Sequence, residues 1–480
     1  MGEADAGGHT LHRVLGLGQL TALGIGAIIG AGIFVLTGVG AHDKAGPALI
    51  LSFVVSGTAC VFAGLCYAEL AAMIPVAGSA YTYAYATLGE IAAWIIGWNL
   101  ILEYTVAAAS VAHGWSHYLQ DFLGIFRLKL PHLMTNAPFD FSPETGRLLL
   151  TGTMIDLPAI VIAVLLTAIL VIGIRESTRV NTAVVILKVS IVLFVIAVGA
   201  FFVKPSNWIP FAPYGYGGLS LCGRFVLGRT GPGGDPVGML AGAAVIFFAY
   251  IGFDALSTQT EEAKNPRRDV PLSILFSLLI CTALYIAVTA VLTGMVPYYK
   301  IDIDAPVSAA FKQVGLSWAQ FLISLGALAG LTSVILVMIL GQSRIFMAMA
   351  RDGLLPRFFG TIHPKFRTPW KSTILTGAAV ALLAGLIPLR VLAELVNIGT
   401  LMAFAIVCVG LLVLRRTDPD HPRPFRCPWV PLVPALGILS CLILMFSLPA
   451  ATWVRLLLWL CIGLLVYVLY GRSHSVLGAR

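Results

Sequence analysis

The sequence predicts an all-α integral membrane protein of about twelve transmembrane helices, because apolar stretches long enough to cross a bilayer follow one another along the chain with short polar joints between them. Of its 480 residues, 59% are hydrophobic and 11% charged, where a soluble domain carries roughly 25% charged residues. A span needs about 20 apolar residues to cross a hydrocarbon core of ~30 Å, and a helix closes its own backbone hydrogen bonds there. A β-barrel would show segments of roughly ten alternating residues, and the chain has no such alternation.

Spans are expected near 17–40, 47–73, 88–118, 156–174, 180–203, 237–260, 270–297, 316–348, 372–388, 391–414, 429–449 and 453–471. The chain then divides into an N-terminal tail 1–16, a first group of five helices 17–203, a loop 204–236, a second group of five 237–414, a joint 415–428, a last pair 429–471 and a C-terminal tail 472–480. No linker separates soluble domains. The net charge of +8 does not point to nucleic acid, since the basic residues sit in the joints. Sorted by side, 18 lie on the side of the termini and 11 on the other, with Lys188 inside a span, so the positive-inside rule places both termini in the cytoplasm. The stretches 119–155 and 204–236 read as extracytoplasmic caps, rich in Pro, Gly and aromatics. The first sixteen residues lack a secretory core and cleavage site, so span 1 is expected to stay as an anchor. The eight cysteines form no CxxC pair or disulfide framework.

Span 1 carries Gly24-Ile25-Gly26-Ala27-Ile28-Ile29-Gly30-Ala31-Gly32-Ile33-Phe34. Each glycine costs a helix interior about 1 kcal/mol against alanine, so four within nine residues invite a break. Backbone freed at that depth is tolerable where it lines a polar cavity, and the N–H groups opening the second half-helix suit a carboxylate. The alternative is a close helix contact through Gly26 and Gly30. Span 6 carries Phe247-Phe248-Ala249-Tyr250-Ile251-Gly252-Phe253-Asp254, then Ser257 to Glu262, the pattern of a second unwound helix. Asp254 alone could equally cap the lower half of that span. Two interrupted spans, each opening a group of five, point to an inverted repeat with its binding site at the repeat interface.

Four separated motifs, GIGAIIGAGIFVLTG, FFAYIGFDALSTQTEEAKNPRRDVPLSI, GQSRIFMAMARDGLLP and RPFRCPWVPLVPALGI, closely resemble the amino acid/polyamine/organocation transporters, and among them the bacterial relatives of the cationic amino acid transporters. The resemblance covers nearly the whole chain. It implies a LeuT-like 5+5 inverted repeat plus two C-terminal helices, alternating access in a bacterial inner membrane, and an amino acid as the partner along with protons and membrane lipids. It implies no cofactor and leaves the oligomeric state open. It puts the substrate carboxylate on N–H groups around Ile29, Gly30, Ala31 and Gly32, and the amine on carbonyls around Phe248, Ala249 and Ile251, with Ile28, Ile33 and Tyr250 in the pocket.

Lys188, about eight residues into span 5, is the one basic residue inside a span. A charge there costs at least ~2.5–3.5 kcal/mol, so it should face the interior with a partner or a function. By resemblance, it stands where proton-coupled members replace a sodium ion, facing helices 1 and 8; otherwise it snorkels to the interface. Glu103 in span 3 is the second expensive charge, expected at the site or beside a helix break. Glu69, near the end of span 2, suits a gate or a structural hydrogen bond, and Asn99 and Asn397 suit bonds to neighbouring helices. Span 8 offers Thr332, Ser333 and Met338 to the interior. By resemblance, Met338 replaces a small polar residue of eukaryotic cationic members, which shortens the pocket and favours a small neutral amino acid such as alanine; alternatively it only packs helices.

An enzyme is not indicated, since HExxH, G-x-S-x-G and Walker A motifs are missing. His113 and His117 share a helix face at i, i+4, but no third ligand with metal spacing accompanies them in the sequence, so they read as interfacial side chains. A cationic amino acid transporter, an exchanger and a non-transporting sensor remain open as alternatives.

Overall fold

Span 1 is built from two pieces. Leu17–Ile28 winds as α1 and stops at Ile29, whose φ of −70° and ψ of 101° are extended. The chain resumes helical winding through Gly32–Leu36, Thr37–Val39 and Gly40–Ala45, a continuous second half here called α2. The stretch Gly32–Met73 is 42 residues long, and His42, Asp43 and Lys44 interrupt its apolar run; at 1.5 Å per residue it would reach about 63 Å, roughly twice the hydrocarbon core. It therefore folds back, and Gly46, with φ 63°, makes the reversal. A Cβ there would stand 2.4 Å from Pro213 Cγ, so the turn is close as well as left-handed.

This computed structural model describes residues 15–74, 79–142, 147–173, 178–221, 224–231, 234–254, 256–257 and 263–475. After α2 come α3 (Leu49–Met73), α4 (Ser79–Thr87), α5 (Glu90–Ile125), α6 (Leu157–Ile172) and α7 (Thr178–Gly199). The second group opens with α8 (Met239–Ile246), followed by α9 (Pro266–Met295), α10 (Pro306–Gln313), α11 (Ser317–Arg351), α12 (Trp370–Leu386) and α13 (Leu389–Thr417). The last pair is α14 (Leu432–Phe446) and α15 (Ala450–Val466). With α1 and α2 counted as one span, the described residues supply the twelve expected spans, and the short helices α4 and α10 lie between spans.

Two features differ from the sequence expectation. Span 3 runs on to Ile125 rather than 118, because Tyr118, Gln120 and Asp121 find partners on other elements: the Tyr118 hydroxyl donates to Phe34 O at 2.6 Å, and Asp121 accepts from Gln320 at 2.7 Å and Ser324 at 2.8 Å. The loop stretches carry small antiparallel hairpins, Phe139–Ser142 with Arg147–Leu150, Leu219–Leu221 with Arg224–Leu227, and Arg229–Thr230 with Pro236–Val237. They are too short to carry a readable alternation. Residues 1–14 of the N-terminal tail, 476–480 of the C-terminal tail and Thr258 to Glu262 of span 6 lie outside the described residues.

The core is a scaffold around α1, α2 and α8. Helix α5 packs along α11 and α13, α3 along α9, and α1 against α7 and α9. Helices α14 and α15 lean on the outside of α13, and α15 turns Leu457, Leu458 and Leu465 outward, more than half exposed. Large exposed apolar side chains on a helix flank are the lipid face of a spanning protein. Leu15 pairs with Ala263, and Gly353 lies against His474, so both described chain ends meet the same side of the bundle.

Candidate functional site

The two interrupted spans meet at their breaks. In span 6, α8 tightens into 3-10 winding over Phe247–Tyr250, Ile251 is extended, and Gly252 takes φ 116°. A Cβ on Gly252 would stand 2.8 Å from Ala27 O, and one on Gly32 would fall 2.1 Å from Ala249 Cα. Only glycine allows backbone to approach backbone this closely, so these two positions fix the contact between the breaks. In the second half of span 1 the first helical bond runs from Phe34 N–H to Gly30 O at 3.3 Å. The N–H groups of Ala31, Gly32 and Ile33 therefore precede any intrahelical acceptor, and they point with the positive end of the helix dipole.

The carbonyls at the other ends of the breaks are held by side chains from the scaffold. Lys188 on α7 is fully buried, and its Nζ donates to Gly26 O at 2.6 Å and to Ile29 O at 3.1 Å, where α1 ends. Gly330 on α11 lies alongside, its notional Cβ 3.3 Å from Lys188 Cε. The Tyr285 hydroxyl on α9 stands 2.8 Å from Ile28 O and 3.0 Å from Ala249 O, so one residue touches both breaks. Asn397 on α13 donates to Ala244 O and Val245 O, both at 2.9 Å, where α8 changes its winding. Tyr285 stood unnoticed in the sequence as one aromatic in an apolar helix, and only the other break could have marked it.

Between the breaks lies a small hollow walled by Ala27, Ile28, Gly30, Ala31, Gly32, Ala107, Val111, Phe248, Ile251, Val334 and Met338. Its side chains are apolar; its polar groups are backbone. Of the residues expected at the site, Ile28, Gly30, Ala31, Gly32, Phe248, Ile251 and Met338 form walls, while Ile29, Ile33, Ala249, Tyr250 and Glu103 stand off it. Ile29 needs correction as a carboxylate donor: its N–H already donates to Ile25 O at 2.8 Å, because α1 closes one more hydrogen bond before it breaks. Tyr250 points away, its hydroxyl donating to Phe53 O at 2.9 Å. Thr332 accepts from Trp115 Nε1 at 3.0 Å, and Ser333 donates back to Gly330 O at 3.0 Å.

The profile of the family described as amino acid permease matches residues 15–468. The chain belongs to this family. A branched-chain amino acid permease of Bacillus subtilis is 49% identical to this permease over 99% of the chain and 96% of the relative. A methylthioribose transporter of the same organism is 46% identical over 99% and 97%. A vacuolar cationic amino acid transporter of Arabidopsis thaliana is 34% identical over 98% and 94%. The chain is thus a multi-pass membrane transporter and not an enzyme, as the sequence reading expects.

The acidic side chains of Glu103, Asp254 and Glu69 are not among the walls of the hollow. Glu103 is 1% exposed, and neither of its oxygens has a hydrogen bond among the described residues. Asp254 accepts from Tyr104 at 2.8 Å and Ser79 at 3.1 Å, tying span 6 to α5 and to α4. Glu69 is a clamp between helices: its Oε2 accepts from Arg415 at 2.8 Å and from Cys427 N–H at 2.7 Å, and its Oε1 lies 3.2 Å from Arg423 Nε. That arrangement fastens the joint 415–428 to the end of α3. His113 and His117 have acidic company that the sequence does not place beside them: Asp156, distant in sequence, caps α6 next to them.

The hydroxyl of Tyr285 gives the break region a specific prediction. Tyr285→Phe leaves two buried carbonyls without their shared donor, which costs about 1–3 kcal/mol. A lower melting temperature of the purified permease is the expected result, and an unchanged one would remove the role assigned to that hydroxyl.

Proposed function

We propose that the permease is a proton-coupled symporter of a small neutral L-amino acid, working by alternating access with both termini in the cytoplasm of a bacterial inner membrane. The observation that carries this reading is the seat itself: the N–H groups of Ala31 and Gly32, ahead of the first hydrogen bond of the second half-helix, on one side, the carbonyls of Phe248 and Ile251 on the other, and apolar side chains between. A carboxylate suits the first and an ammonium the second. Phe248 O already accepts from Ile251 N–H at 3.2 Å, but a carbonyl oxygen has two lone pairs, so it keeps one for an ammonium.

The walls supply the selectivity. Ala107, Val111, Val334 and Met338 offer no charge to the guanidinium of arginine or the ammonium of lysine, whose burial without a partner is costly. Met338, 2% exposed, closes the side-chain end. The relative named for branched-chain amino acids supports a neutral apolar side chain, and the size of Met338 favours the smaller members such as alanine. Uptake by proteoliposomes tests this: alanine or a branched-chain amino acid should be taken up and arginine should not, and Met338→Ser should raise arginine uptake relative to alanine. Strong arginine uptake by the unmodified permease would contradict the reading.

Coupling is assigned to Lys188. Its ammonium makes two charge-assisted hydrogen bonds to the end of α1, at Gly26 O and Ile29 O. Loss of the proton leaves at most two weaker donors on a neutral amine, so the end of α1 is released. Proton exchange at Lys188 thereby biases the two positions of span 1 that alternating access requires.

A further inference from the structure

The transport reading leaves one buried cluster unused, on the face opposite the termini. His113 and His117 lie one turn apart on α5 with their Nε2 atoms 3.2 Å from one another. His113 Nδ1 is 3.0 Å from Asp156 Oδ2, and His117 Nδ1 is 3.4 Å from Asp304 Oδ1. Each ring thus has a carboxylate behind it and turns its other nitrogen toward the same point. Two ligand nitrogens at ~2.0–2.1 Å from a tetrahedral Zn²⁺ stand about 3.3 Å apart, and zinc-binding histidines are held in place by carboxylates on their far nitrogens.

Asp156 gives an independent sign. Its Oδ1 is fully used, accepting from Ser116 at 2.6 Å and from Ala159 N–H at 3.2 Å as the cap of α6. Its Oδ2, on a residue with no exposed surface, makes no hydrogen bond among the described residues and faces His113 Nδ1 at 3.0 Å. A buried carboxylate oxygen facing an imidazole favours positive charge on that ring or on an ion it holds. The ligand atoms of His113, His117 and Asp156 all fall within 4.8 Å of one another, and Asp304, with its side chain 52% exposed, opens the cluster to solvent.

We propose that His113 and His117, backed by Asp156 and Asp304, form a binding site for Zn²⁺ or a similar imidazole-preferring divalent ion, reached from the face opposite the termini. The ion restrains transport, because Asp304 belongs to the loop that leads into α10 and rests on span 1. A Cβ on Gly38 would lie 2.5 Å from Asp302 O and 3.0 Å from Pro306 Cβ. Fixing His117 and Asp304 around an ion ties that loop to α5, and the second half of span 1 then loses freedom to move.

The test uses the full-length permease, freed of any affinity tag and stripped with chelator. Zn²⁺ alone is added, and its effect is followed as a rise in melting temperature and as a fall in substrate uptake by proteoliposomes. The expected result is saturable stabilisation with one ion per chain and uptake reduced severalfold, both reversed by chelator and both lost in His113→Gln and His117→Gln. Uptake by those variants in chelator, equal to that of the unmodified chain, shows that they are folded. No stabilisation by Zn²⁺, or stabilisation and inhibition that persist unchanged in both variants, would overturn the site.

Discussion

Lys188→Ala is expected to bring proton-driven accumulation of substrate down to background, while the protein is still made and inserted. The ammonium is the group that holds Gly26 O and Ile29 O; the hydroxyl of Tyr285, which also bonds the end of α1 at Ile28 O, carries no charge to exchange with a pH gradient. Without it, the end of α1 no longer answers to protonation, so a pH gradient has nothing to act on. Two buried carbonyls also lose a donor, which lowers stability by about 1–3 kcal/mol for each. Exchange of labelled substrate against unlabelled substrate separates the two effects, because it needs the seat but no driving force. The expected pattern is accumulation lost and exchange retained. If the unmodified permease instead accumulates substrate on a sodium gradient and ignores an imposed pH gradient, the coupling role falls.

The second large effect is expected at Gly32. An alanine there puts its methyl group 2.1 Å from Ala249 Cα and 2.3 Å from Ala249 Cβ, with backbone rather than a flexible side-chain end in the way. The two breaks must then separate, and the N–H groups of span 1 move away from the carbonyls of span 6. Misplacement of about 1 Å at such a seat can cost roughly a hundredfold, so Gly32→Ala should weaken substrate binding by about that factor. The loss should appear in the thermal stabilisation given by saturating substrate and in the half-saturation of uptake. Gly18, near the start of α1, has open space around its Cβ position, so Gly18→Ala is the control that should change neither. Substrate affinity unchanged in Gly32→Ala would mean that the breaks do not cooperate in binding.

The helix breaks were legible in the sequence because their cause is local. Four glycines within nine residues of span 1, and a glycine before an aspartate in span 6, weaken helical winding wherever the chain goes. The spans were legible for the same reason, since each is long and apolar in its own right. What satisfies the breaks was not legible. Tyr285, Asn397 and Tyr118 reach the interrupted spans from helices far away in sequence, and a tyrosine or asparagine on an apolar helix carries no mark of its partner. Glu103 shows the converse: its cost inside the membrane is plain from sequence, yet α5 turns it toward the side of Asp254 rather than into the hollow. Ile29 was misjudged by a single residue, because where a helix ends within a weak stretch depends on which last hydrogen bond closes. The company of His113 and His117 was hidden by separation, with Asp156 supplied by α6 and Asp304 by a loop after α9.

The seat needs both ends of the substrate, and one titration tests that directly: thermal stabilisation of the purified permease by the amino acid it takes up, beside the same molecule with its carboxylate converted to the amide and the same molecule with its amine removed. The prediction is that only the intact zwitterion raises the melting temperature, because each analogue leaves one break unpaired. Equal stabilisation by either analogue would contradict it.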